Sequence, residues 1–175
     1  MKKIIILWLA LVGTHALWAQ PQKGDLTIGG RVATQWSWQD SPNQFFTIEP
    51  RFGGFITPHF LLEGNATYEF IDYRWTGDTS LRFNFLTGAS ATYYPLSGRW
   101  SPLINGQVSV GVSRSISEPE FSVNPYFNYA VGLGGVFWLQ PRLGLEAMVQ
   151  GEFRQYGYSI APRLGMRYLW RREKG

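Results

Sequence analysis

Apolar and polar residues take turns along eight separate stretches of this chain. In the first, Leu26, Ile28, Val32, Trp36 and Trp38 stand against Thr27, Gly29, Arg31, Gln35 and Ser37, a period of two that sends the two sets to opposite faces of a β-strand. The pattern returns over residues 46–56, 60–70, 81–93, 104–112, 121–137, 143–153 and 160–170. No helical stripe competes with it, so the pattern predicts eight strands and an all-β fold.

A slower regularity runs over the first. Ile48-Glu49-Pro50-Arg51-Phe52-Gly53 is echoed by Ile160-Ala161-Pro162-Arg163-Leu164-Gly165, with Val123-Asn124-Pro125-Tyr126-Phe127 between them. The prolines are 75 and 37 positions apart, which implies a hairpin repeat of 37 residues with its fourth counterpart at Thr87-Gly88. Four up-and-down hairpins result, their even strands sharing a local design. Proline donates no ladder hydrogen bond. Pro50, Pro125 and Pro162 are therefore expected near the loop-side rim, at a bulge or frayed pairing.

Alternation alone leaves open which face is outside, and volume decides it. The apolar phase carries many bulky groups, among them Trp36, Phe52, Phe85, Phe127 and Trp170. An eight-stranded barrel has room inside only for its own side chains or one small ligand. The opposite phase suits such a lumen. It holds Gly29, Gly53, Gly88, Gly111, Gly132, Gly134, Gly144 and Gly165, and sets Glu49, Glu63, Glu69, Glu146 and Glu152 against Arg31, Arg51, Arg82, Arg154, Arg163 and Arg167. The apolar face is expected to meet lipid, as in an antiparallel transmembrane β-barrel, and the polar face to plug the barrel with ion pairs. A soluble ligand barrel would need the faces reversed.

Aromatic residues gather at both strand ends: Trp36, Trp38, Phe45, Phe46, Tyr73, Trp75, Tyr156 and Tyr158 at one, Phe55, Phe60, Tyr93, Tyr94, Trp138, Tyr168 and Trp170 at the other. Two interfacial girdles are the expected arrangement. Connections 57–59, 95–101 and 139–142 are turn-like, whereas those at the other end include 39–44, 72–80 and 113–120. With an even strand count both termini share the short-turn side, which in outer-membrane barrels is the periplasm.

Composition adds compartment and excludes partners. The 175 residues fit one domain. Met1-Lys2-Lys3, the apolar run 4–12 and the small-residue exit from Ala16 to Ala19 read as a cleavable secretory signal peptide. The run is shorter than the roughly 20 apolar residues of a spanning helix. The expected division is a signal peptide over 1–19 and an outer-membrane β-barrel domain over 20–175. Loss of Lys2 and Lys3 lowers the formal net charge from +4 to +2, and no basic run interleaves with aromatics outside the tail 171–174, so no nucleic-acid partner is expected. The absence of cysteine excludes a disulfide framework, a thiolate metal site and a lipidated N-terminal Cys.

No catalytic, cofactor-binding or metal site is expected. His59 is the one histidine left after the signal is removed; it stands beside Pro58 in a tight turn with no serine nearby to activate, and reads as a solvated turn residue. Glu146 and Glu152 are six positions apart on one strand face, about 20 Å at strand rise, too far for a glycosidase pair. Glu63 and Glu69 share that spacing, and each carboxylate is expected to meet an arginine across the lumen. Asp72, Asp78, Glu118 and Glu120 lack the spacing of a calcium loop. Gly132-Leu133-Gly134-Gly135 is followed by continuing strand and not by a helix, which excludes a phosphate loop.

The hairpin Pro50-Arg51-Phe52-Gly53-Gly54-Phe55-Ile56-Thr57-Pro58-His59-Phe60-Leu61-Leu62-Glu63-Gly64 resembles those of the outer-membrane β-barrel domain families common in Bacteroidetes, which are similar in architecture to OmpA-like and OmpX-like eight-stranded barrels. The resemblance covers essentially the whole mature chain. It implies an integral outer-membrane protein in contact with outer-membrane lipids and the outer-membrane assembly machinery. Two departures stand out: the chain ends in Arg171-Arg172-Glu173-Lys174-Gly175 and not in an aromatic, leaving Tyr168 and Trp170 as the nearest assembly signal, and no peptidoglycan-binding domain follows. The reading that results is a non-enzymatic barrel with a plugged polar lumen, its loops turned to an extracellular or envelope protein partner. The alternatives are a small passive porin-like channel and a lipid-modifying enzyme with its site at the outer rim.

Overall fold

The computed structural model describes residues 21–36, 44–72, 81–96, 98–115, 124–154 and 157–171. They form β1 Leu26–Trp36, β2 Gln44–Thr57, β3 Phe60–Asp72, β4 Leu81–Tyr93, β5 Trp100–Ser115, β6 Asn124–Gln140, β7 Leu143–Arg154 and β8 Gly157–Trp170. Each strand pairs antiparallel with its neighbours in sequence, and β1 pairs with β8, closing the barrel. Every alternating stretch is a strand. The largest difference in extent is β5, which begins at Trp100 because Trp100-Ser101-Pro102 still pairs with Val136 and its neighbours on β6 although proline breaks the polar–apolar rhythm. The signal peptide, Trp38, Tyr73, Trp75, Tyr156 and most of the long connections lie outside the described residues.

The face assignment follows the volume argument. Phe127, Trp170, Val108 and Leu164 point outward and are exposed, while Arg31, Glu49, Glu63, Gln107 and Arg167 are buried in the lumen. A surface so apolar, wrapped round a core so polar, is stable only where the outside solvent is hydrocarbon. The barrel is transmembrane and its wall contacts lipid. Glycine marks where the lumen is most crowded: a Cβ on Gly53 would collide with the backbone of Leu62 and Glu63 on β3, and one on Gly132 with the Met148 side chain.

Three expectations need correction. Phe55, Tyr94 and Trp138 do not belong to an interfacial girdle; they face the lumen and are buried, because each is in phase with inward residues of its own strand. Arg82 is inward in phase but stands exposed at the loop end of β4. The prolines produce no bulge, although the pairing frays on one side of Pro50 and of Pro162. Register shifts among the described residues fall at Phe55/Thr57 and Trp138/Gln140, whereas Pro50 and Pro162 hold their register within the strand, opposite Gly30 and Val149. Only Pro125, next to the start of β6, is near a strand end on the loop side.

Candidate functional site

Among the described residues the fold concentrates its polar chemistry in the lumen, which has an apolar tier at one end and two ionic tiers above it. At the short-turn end Phe55, Tyr94, Trp138 and Leu169 close it, packed with Leu61, Leu103, Val136 and Met148. The four closing residues are equivalent. Each lies where an even strand ends, and each donates its backbone N–H to a carbonyl at the start of the preceding odd strand: Phe55 to Asp25, Tyr94 to His59, Trp138 to Arg99 and Leu169 to Arg142, at 2.7 to 2.9 Å. Phe55 and Tyr94 stack obliquely with ring centroids 5.6 Å apart. The hairpin repeat thus builds an apolar plug from one residue per hairpin.

Above the plug the lumen turns ionic. Arg167 donates to Glu63 and Glu146, each at 2.7 Å. Arg51 reaches Glu63 at 3.0 Å and Glu49 at 3.2 Å, and Arg31 bonds Glu146. Glu49 links this tier to the next, since Arg163 donates to it at 2.8 Å and also pairs with Glu152. Arg154 holds Glu69 in a bidentate fork, 3.0 and 2.6 Å, and Glu152 at 2.6 Å. Five arginines and five glutamates therefore neutralise one another among the described residues. Removing these charges from water costs several kcal/mol per ion, and multiple charge-assisted bonds per group are what make the arrangement tolerable. Asn105, Gln107 and Gln150 fill the gaps, Gln107 donating to Glu49 at 3.3 Å.

Glu49, Glu63, Glu69, Glu146 and Glu152 all meet arginines in the lumen, as expected, while Asp78, Glu118 and Glu120 lie outside the described residues. His59 is exposed in the β2–β3 turn, with its Nδ1 2.9 Å from the Tyr94 carbonyl oxygen. That contact fastens the turn to β4. What the sequence reading missed is the apolar tier. Its signal was present in the inward phase itself, where Glu49, Arg51 and Gly53 give way to Phe55, Ser90 and Thr92 to Tyr94, and Arg163, Gly165 and Arg167 to Leu169.

Real girdle members remain on the outside. Near the loop end Phe46, Tyr68, Phe70, Phe83 and Phe85 form a contiguous aromatic patch across β2, β3 and β4, with centroid separations of 5.1 to 6.4 Å. Tyr93, Trp100, Tyr168 and Trp170 are exposed at the short-turn end. Trp100, not anticipated there, lies over Gly135, where any Cβ would strike its indole.

No protein-family model and no curated protein matches the chain. Solved structures do. Neisserial surface protein A (NspA) matches with a TM-score of 0.65 at 15% identity, covering 83% of this chain and 97% of its own. The N-terminal β-barrel domain of Pseudomonas aeruginosa OprF matches with 0.63 at 12% identity, over 85% and 98%. Ail, the attachment invasion locus protein of Yersinia pestis, matches with 0.57 at 12% identity, over 85% and 100%. At these identities the likeness is one of fold: the chain has the architecture of the small eight-stranded outer-membrane barrels.

Proposed function

We propose that the protein is a non-enzymatic integral protein of a bacterial outer membrane, with a sealed lumen, both termini in the periplasm, and loops 39–44, 72–80 and 113–120 that engage an extracellular or envelope protein. The observation that carries this reading is the filling of the lumen, an apolar plug at one end continuing into ion pairs whose members are all buried or nearly so. A passive pore needs a continuous water path, and an eight-stranded barrel has no width to spare for one. A lipid-modifying enzyme needs a nucleophile beside a base at the outer rim. The histidine His59 is instead in a turn at the opposite end, against the Tyr94 carbonyl.

The orientation rests on turn length: Leu26 pairs with Trp170 at the end of the short turns, which is the periplasmic side of barrels of this fold. Residues 1–19 leave on export and 20–175 make the barrel domain. The assembly machinery reads Tyr168 and Trp170, both outward on β8. The resemblance to the Bacteroidetes families rests on the Pro50–Gly64 hairpin, and no family model adds to it.

Two measurements test the reading. Purified protein in planar bilayers is expected to give no conductance steps; steady steps would contradict the sealed lumen. Replacing 39–43, 73–80 and 116–120 together with Gly/Ser segments is expected to preserve the gel shift on boiling while abolishing crosslinks to envelope proteins in cells. Crosslinks that survive all three replacements would place the binding surface elsewhere.

A further inference from the structure

Apart from the register shifts at Phe55/Thr57 and Trp138/Gln140, two seams are interrupted among the described residues, each at a proline. Between β2 and β3 the pairing passes from Ile48↔Tyr68 to Arg51↔Asn65, skipping Glu49 and Pro50, and then resumes. Between β1 and β8 it stops at Ala33↔Arg163, one position short of Pro162, and does not resume among the described residues, although β1 continues to Trp36 and β8 begins at Gly157. The β7 ladder runs past the same residue through Val149↔Pro162. Pro162 has no N–H to offer Thr34, so the upper part of β1 and the first residues of β8 face each other as free edges.

Depth makes these edges costly. The outward residues of β8 run from Tyr168 through Met166, Leu164, Pro162 and Ile160 to Tyr158. Ten residues at about 3.3 Å each, tilted about 40°, span roughly 25 Å, the height of the apolar band of such barrels. Ile160 and Pro162 therefore lie in its outer half, where hydrocarbon supplies no partner for a peptide group. The lumen wall behind the seam is thin, made by Ala33 and Ala161. The same seam is fastened at its other end, where Arg171 pairs with Asp25 at 3.3 Å.

We propose that the open upper part of the β1–β8 seam is a lateral lipid site in the outer leaflet. One acyl chain lies along Val32, Ile160 and Leu164, and its acyl carbonyl enters the seam to accept from the peptide N–H groups of the free edges. The recognised chemistry is a carbonyl at acyl-chain depth, which ester-linked lipids carry and ether-linked lipids lack. Water reaching the gap past Ala33 and Ala161 is the competing occupant. The inference rests on the membrane reading above.

The test is amide hydrogen exchange of the protein folded into vesicles of ester-linked diacyl phosphatidylcholine and, separately, of its ether-linked analogue. Seam-facing amides within 34–36 and 157–161 are expected to exchange about tenfold more slowly in the ester lipid, the protection one hydrogen bond supplies. Equal and slow exchange in both would mean that the ladder closes in a membrane, and equal and fast exchange that water fills the gap; either overturns the proposal. Pro162→Val restores the missing donor and is expected to slow these amides in both lipids. Exchange as fast in that variant as in the parent in ether vesicles would overturn proline as the cause. The β3–β4 ladder, paired from Phe60 to Asp72, reports separately on the membrane reading, since fast exchange there would defeat that reading and the lipid site with it.

Discussion

The short-turn end of the barrel and its middle are both filled, one by packing and the other by charge. Phe55, Tyr94, Trp138 and Leu169 exclude water by bulk, and each is anchored through its own backbone N–H, so the loss of one leaves a cavity while its neighbours keep their bonds. The ionic tiers are coupled. Glu49 alone contacts Arg31, Arg51 and Arg163, so losing one carboxylate leaves several buried cations short of a partner. A packed plug fails locally, whereas a charge network fails as a unit.

The largest effect should accordingly come from the network. Glu49→Ala is expected to lower stability by about 3 to 5 kcal/mol, read by urea unfolding in lipid vesicles. A loss no larger than that of a surface ion pair would show that the arginines rearrange freely and that the tiers are not coupled. Trp138→Ala removes the largest member of the plug and is expected to cost about 3 kcal/mol, with the β7–β8 ladder still slow in hydrogen exchange. If that ladder loses protection as well, the plug is not the local element described here. His59→Ala removes the contact with the Tyr94 carbonyl and is expected to cost about 0.5 to 1 kcal/mol, its exchange effect confined to the β2–β3 turn. Arg171→Ala is smaller still. The pair with Asp25 is part-exposed at the mouth of the barrel, and its loss should cost under about 1 kcal/mol and shrink in high salt.

The difference between the two regions also explains what could be read from the chain. The strands and their faces were legible because a period of two leaves little freedom, and the Arg–Glu pairing was legible because charges of opposite sign shared one phase of narrow strands. The plug was not. Phe55, Tyr94 and Trp138 are aromatics at strand ends, and the rule that such residues form girdles outweighed their phase, although Trp138 is in step with Gly132 and Gly134. Arg82 is in the correct phase, but phase says nothing about height, and one residue from the loop end of β4 the side chain is exposed. For the prolines, a missing N–H was expected to bring a bulge or frayed pairing close to the rim. Pro50 and Pro162 fray the ladder on one side without a bulge and well inside their strands, because the other side holds the strand in place.

Two residues of β5 test most directly whether the barrel is polar inside and lipid-covered outside. Val110 is exposed on the outer wall at 48%, while Gln107 is buried at 5% beside Glu49. Urea unfolding of Val110→Arg and Gln107→Arg in lipid vesicles should respond to the same cation differently. At Val110 the arginine enters hydrocarbon near the midplane, at a cost of about 2 to 4 kcal/mol. At Gln107 it meets the Glu49 carboxylate, and the loss should be smaller. A Gln107→Arg variant less stable than Val110→Arg by more than about 1 kcal/mol would mean that the faces are reversed.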